Sequence, residues 1–164
     1  MKIKLIVPAL CAATLAACGG DDNNKDQSYK ALRDLGIECV EATTPSLEAQ
    51  TGSLSLALVD TYVSGNDFAT SSAEIVSYDS CSDRLYVVNS QDATIDVLSL
   101  ADTSSAPSKD STIDLAAAAS AAGIEIGAAN SVSAKQGLVA VAIEAATKQD
   151  AGLIALYRSD TLAL

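Results

Sequence analysis

The chain has 164 residues, with 21 acidic side chains against 10 basic ones, no histidine, and a formal charge of −11 at neutral pH. That balance argues against nucleic acid as a partner, because phosphate binding needs a basic face. The absence of histidine removes the commonest general base and metal ligand from any catalytic scheme.

Residues 1–17 read as a secretory signal: Lys2 and Lys4 form a basic start, an apolar run extends from Leu5 to Ala17, and small residues precede Cys18. The run holds thirteen residues, where a helix crossing a bilayer needs about twenty. Leu15-Ala16-Ala17-Cys18 matches a lipobox, in which a small residue precedes a thiol that is acylated before the signal is cut. The expected product is a lipoprotein cleaved after Ala17 and held through Cys18, since two or more buried acyl chains suffice for stable anchoring. The alternative is an ordinary signal peptide that leaves Cys18 incidental. Gly19, not Asp, follows the cysteine, which makes the outer membrane of a bacterial envelope the expected destination. Loss of residues 1–17 leaves eight basic residues against 21 acidic ones, a formal charge of −13. Such a surface suits divalent cations, although scattered acids are more often simply solvated.

Residues 18–36 form the lipidated cysteine and its tether. Gly19 to Gln27 is small and polar without apolar periodicity, and Ser28 to Leu35 has the makings of a short helix stopped by Gly36. From 37 to 164 the chain reads as one mainly β domain. Cys11 leaves with the signal and Cys18 takes lipid, so Cys39 and Cys81 are the remaining thiols. In an oxidising compartment their pairing as a disulfide is favoured over free thiols.

Short apolar strands divided by polar turns follow: Leu54 to Tyr62, Glu74 to Tyr78, Leu85 to Asn89, Thr94 to Leu100, Ser131 to Ala134, Leu138 to Ile143 and Leu153 to Tyr157. The alanine run from Leu115 to Ala122, ending at Gly123, predicts either two turns of helix or a loop covering a sheet edge. Three strands recur in order. Ala73 to Ser77 matches Ala129 to Ser133 at an offset of 56 residues, Leu85 to Val88 matches Leu138 to Val141, and Ile95 to Leu98 matches Leu153 to Leu156. Recurring antiparallel triplets are the habit of propeller blades. The expectation is an incomplete β-propeller of about two antiparallel blades, the amino-terminal part of something longer, because a ring closes at about four to eight blades.

The motifs Ala73-Glu74-Ile75-Val76-Ser77-Tyr78-Asp79, Arg84-Leu85-Tyr86-Val87-Val88-Asn89 and Ile95-Asp96-Val97-Leu98, then Asn130-Ser131-Val132-Ser133 and Gly137 to Glu144, resemble the opening of the choice-of-anchor I domain. The similarity runs over residues 53–158. It implies a WD40-like β-propeller of several hundred residues on secreted or surface-attached bacterial proteins. Members are often labelled alkaline phosphatase-like, which makes the fragment of a metal-dependent hydrolase the alternative to a binding module.

Glu74 and Asn130 fall at equivalent places in the two repeats. A ring of such oxygens would take Ca²⁺ or a small polar ligand; the competing role is hydrogen bonding between blades. Asp79, Asn89, Asp92 and Glu144 read as turn chemistry. Serine is plentiful, but no G-x-S-x-G, S-x-x-K or phosphate-cradling glycine loop occurs, so no catalytic residue is assigned and enzymatic activity is not expected of this segment alone. The expected partners are the membrane, through the lipid, and an unidentified protein or small polar ligand.

Overall fold

The structure, a computed structural model, describes residues 4–5, 35–39, 58, 60–102 and 105–164. Its elements are β1 (Lys4–Leu5), β2 (Val76–Asp79), β3 (Arg84–Asn89), β4 (Thr94–Ser99), β5 (Ser108–Asp114), α1 (Ala116–Ala122), β6 (Ile126–Lys135), β7 (Leu138–Ala145) and β8 (Leu153–Arg158). The protein is mainly β, as expected. One antiparallel sheet has the order β2-β3-β4-β5 and a second runs β6-β7-β8, with β1 beside β8 in parallel, inside the stretch read as a leader. No closed barrel forms among the described residues. The two sheets are the two blades of an incomplete propeller.

Turn chemistry sets each hairpin. Gln136 and Gly137 both take positive φ, 53° and 83°, which gives the two-residue loop between β6 and β7 the twist its strands need. The β2–β3 turn is longer and is organised by Asp79, whose Oδ2 accepts from the Ser82 backbone N–H at 3.1 Å and from Ser82 Oγ at 2.9 Å. The alanine run is helix. Asp114 Oδ1 accepts from the Ala116 N–H at 2.8 Å at its start. At its end Gly123 is left-handed, with Gly123 N bonded to Ser120 O and Ile124 N to Ala119 O, so two of the last four carbonyls gain partners.

Strand β5 was not foreseen. Its sequence, Ser-Lys-Asp-Ser-Thr-Ile-Asp, buries only Ile113, because it is the outer edge of its blade. Residues 54–57 and 59 lie outside the described residues, as does the predicted helix from Ser28 apart from Leu35. Residues 60–66 form no strand and instead strap the first blade: Tyr62 Oη donates to Asp96 Oδ2 at 3.0 Å and Asn66 Nδ2 to Asn89 Oδ1 at 3.4 Å.

The blades meet face to face over one core. Tyr86, Val88, Ile95, Val97 and Ile113 of the first blade pack on Val132, Ala134, Val139, Val141, Leu153, Ala155 and Tyr157 of the second, and Leu115 and Ala118 close the side. Burial of each large apolar side chain contributes roughly 1.5–3 kcal/mol. The ladders correct the sequence alignment by one residue. Ser77 pairs with Tyr86 and Ser133 with Ala140, while Val88 pairs with Ile95 and Ala142 with Ile154. Tyr86 is therefore equivalent to Ala140, not Val139, and Ile95 to Ile154, not Leu153. Unequal turn lengths cause the shift: Asp79 pairs with Arg84, whereas Lys135 pairs with Leu138. A slip of one residue exchanges the two faces of a strand. The face that the first blade turns toward the second is thus equivalent to the face that the second blade turns outward.

Candidate ligand groove and the interblade contacts

Glu74 lies just before β2 and Asn130 within β6, at matching irregularities of the two ladders. Val88 bonds both ways across Glu74 and Ile75, through Glu74 N to Val88 O at 3.3 Å and Val88 N to Ile75 O at 2.8 Å. In the second blade the register shifts between Ala129 and Ser131, leaving Asn130 as the extra residue. A bulge re-aims the side chain it carries. In both blades that side chain turns to the end of the next strand. Glu74 Oε2 accepts from Ser90 Oγ at 2.9 Å, and Asn130 Nδ2 donates to Glu144 Oε2 at 3.2 Å. Ser90 and Glu144 are equivalent positions under the corrected register.

Glu74 Oε1 also accepts from Ser71 Oγ. These two hydroxyls hold the Glu74 carboxyl below the usual range, against a smaller opposing effect of desolvation. Ser90 Oγ lies 3.0 Å from the Ala129 carbonyl as well, so one hydroxyl ties Glu74 to the neighbouring blade beside Asn130. Among the described residues no three His, Cys, Asp or Glu side chains are grouped to hold a metal ion.

Next to Asn130 a groove of about 240 Å³ opens on the second blade. Ala142 and Ile154 line its apolar part, and Asn130, Glu144, Lys148 and Asp150 supply amide, carboxylate and ammonium groups. A mixed lining of this kind suits a small polar ligand or a polar peptide segment. Lys148 and Asp150 are exposed and lie in the loop between β7 and β8.

The opposite end of the blades is locked. Asp79 is fully buried, and its Oδ1 accepts from the Gly137 N–H of the second blade at 3.2 Å. Sequence reasoning placed Asp79 in a turn, and the turn is there; its span to the second blade had no sequence signal. Ser77 Oγ accepts from Ala134 N at 2.8 Å, while Arg84 Nη1 at 3.0 Å and Tyr86 Oη at 3.2 Å donate to the Ser159 carbonyl. Burial pushes the Tyr86 phenol up. Residues 35–39 dock at this end. Arg158 donates to the carbonyls of Leu35 at 2.9 Å and Gly36 at 3.0 Å, and Ile37 is buried where a Cβ on Gly137 would collide with it. A disulfide joins Cys39 to Cys81 with Cα atoms 5.1 Å apart. Asn89 keeps its turn role, accepting from Asp92 N at 3.3 Å and donating to Asp92 Oδ2 at 3.0 Å.

No helix among the described residues is long and apolar enough to cross a membrane. No curated protein and no solved structure matches the chain. The profile of the choice-of-anchor I domain matches residues 74–163, more than half of the sequence and both blades entire. On that match, with two antiparallel blades as its fold, the chain belongs to the choice-of-anchor I domain family and is a cell-surface-associated protein.

Proposed function

We propose that the protein is a lipoprotein anchored through Cys18 to the bacterial envelope, with its propeller blades acting as an extracytoplasmic binding module. The observation that carries this reading is polarity. The chain coming from the anchor is clamped at the Asp79–Gly137 end, through Arg158, Ile37 and the Cys39–Cys81 bond. The groove beside Asn130 and Glu144 sits at the other end of the same strands, roughly 16 Å away at about 3.3 Å per residue. In this reading the end of the strands opposite the clamp is the one that meets a ligand.

In this reading Glu74 and Asn130 set the register between strands and flank the groove, and the ligand meets Asn130, Glu144, Lys148 and Asp150. A cation such as Ca²⁺ at Glu74 would displace two serine hydroxyls already bound there. Among the described residues the groove offers no hydroxyl or thiol with a base beside it, which favours binding over turnover.

The test has two parts on the full chain. Labelling with a radioactive fatty acid is expected in the wild type and absent in Cys18→Ser, and protease added to intact cells should cut the wild-type blades. The purified protein should release no phosphate from p-nitrophenyl phosphate, with or without divalent metal. Label retained in Cys18→Ser would refute the anchor, and metal-dependent phosphate release lost in Glu74→Ala would replace the module with a phosphoesterase.

A further inference from the structure

Residues 35–39 stand on both blades at once. On the second blade Arg158 holds the carbonyls of Leu35 and Gly36 at 2.9 Å and 3.0 Å, and Ile37, 4% exposed, fills the space over Gly137 that a Cβ would need. On the first blade Cys39 is bonded to Cys81, in the turn between β2 and β3. The segment is a brace, and it rests on the two turns that meet in the joint between the blades. Asp79, just before Cys81, accepts from the Gly137 N–H at 3.2 Å, and Ser77 Oγ of the same strand accepts from the Ala134 N–H at 2.8 Å.

The two feet of the brace differ in kind. Leu35 and Gly36 are exposed, and a hydrogen bond to an exposed carbonyl gives a small net gain because water replaces it. Arg158 is also shared with Asp160, at 2.7 Å. Ile37 is the one fully buried residue among those described in the segment. The bond to Cys81 holds these weak contacts in place by keeping the segment at high effective concentration beside the second blade. Both cysteines are only half-buried, so a thiolate can reach the bond.

We propose that the Cys39–Cys81 bond is a redox-sensitive latch on the joint between the blades, opened by a dithiol. One thiolate of the dithiol attacks a sulfur of the bond and forms a mixed disulfide, and its second thiol displaces the cysteine still attached. Cys39 and Cys81 leave as thiols, taking up the two protons that the dithiol loses as it becomes a disulfide. With the latch open, only Arg158 and Ile37 keep the brace on the second blade, and the joint loosens at the Asp79–Gly137 end. At the other end of the strands Ser90 Oγ donates to the Ala129 carbonyl at 3.0 Å without help from the brace, so that end stays closed.

Single-amide hydrogen exchange on the detergent-solubilised full chain, followed by NMR with and without dithiothreitol, tests the latch. A bond that acts only on the entropy of the unfolded chain, when opened, speeds every amide that exchanges through global unfolding by one common factor. The Gly137 and Ala134 amides should gain about tenfold or more beyond that factor, with the Val88 N–H, bonded to the Ile75 carbonyl at 2.8 Å toward the groove end, as the reference. Ile37→Ala keeps the bond closed while loosening the brace, so it should speed Gly137 several-fold more than Val88; it decides the matter if the reduced chain unfolds. Replacing both cysteines, Cys39→Ser with Cys81→Ser, should reproduce the reduced wild type and remove the response to dithiothreitol. Equal acceleration of all three amides on reduction, an Ile37→Ala variant in which Gly137 is as protected as in the wild type, or a bond that dithiothreitol leaves closed in the folded chain would each overturn the inference.

Discussion

Removing the Asp79 carboxylate is the sharpest test of how the blades are held. In Asp79→Ala three donors lose their acceptor: the buried Gly137 N–H at 3.2 Å, the Ser82 N–H at 3.1 Å and Ser82 Oγ at 2.9 Å. Leaving a buried donor unsatisfied costs about 1–3 kcal/mol. Gly137 bears that cost in full, whereas Ser82 is only half-buried and regains water in part. The expected loss is about 2–5 kcal/mol, a large share of the roughly 5–15 kcal/mol that holds a domain together. Urea unfolding followed by circular dichroism reads it directly: the midpoint should fall by about 2 M with an unchanged slope near 1–2 kcal/mol per M. Ser82→Ala, which leaves the Gly137 bond intact, should cost about 1 kcal/mol or less. A midpoint for Asp79→Ala within error of wild type would refute the lock.

Among the described residues Tyr157 Oη is buried without a hydrogen-bond partner, so Tyr157→Phe should be neutral or stabilising by up to about 1 kcal/mol in the same urea assay; a loss above about 1 kcal/mol would mean the hydroxyl has a partner. Burial, helped by the nearby Asp114 charge, pushes the Tyr157 phenol up to about 12, and desolvation with the Asp96 bond does the same for Tyr62. Because the folded value lies above the unfolded one near 10, their contribution to stability is complete below pH 10 and is lost as pH rises through about 12, which absorbance near 295 nm follows as two late-ionising tyrosines. The hydrogen bonds from Arg158 hold the Asp160 carboxyl down at about 2, so its contribution is present above pH 4 and disappears as pH falls through about 2; a carboxyl NMR titration midpoint near 4 would contradict that pair. Opening the Cys39–Cys81 bond, which spans 42 residues, should cost about 4 kcal/mol by loop entropy, measured as urea midpoints with and without reductant.

Much of the fold was legible where packing follows local pattern. Leu85 to Asn89 and Leu138 to Ile143 announce strands because both faces of each blade strand are apolar, whereas Asn130, read as a strand start like Glu74, lies inside β6, which begins at Ile126. Strand β5 was hidden because an outer edge needs no apolar face; Lys109 and Asp110 there even discourage further pairing. The one-residue slip in the repeat came from turns: sequence similarity aligned Leu85 with Leu138, while the backbone counts residues around a four-residue and a two-residue turn. The residues that build the groove were partly visible, since Asn130 and Glu144 were both singled out. Lys148 entered only as one of the residues that resemble the family, without a role, and Asp150 drew no notice, because both lie in a loop. The clamp on the amino-terminal segment was beyond reach, because Arg158 and Leu35 stand 123 residues apart and bond through a backbone carbonyl that any residue supplies.

From β2 to β5 and from β6 to β8 every strand neighbours the one that precedes it in the chain, so apart from β1 beside β8 both sheets are built by hairpins. Assembly can then keep pace with delivery. A chain that emerges amino terminus first can complete β2 to β5 before β6 appears, and folding rates are highest where contacts are local. The first sheet then waits as a finished template, its Tyr86 and Ile95 side chains bare, until the second arrives to cover them.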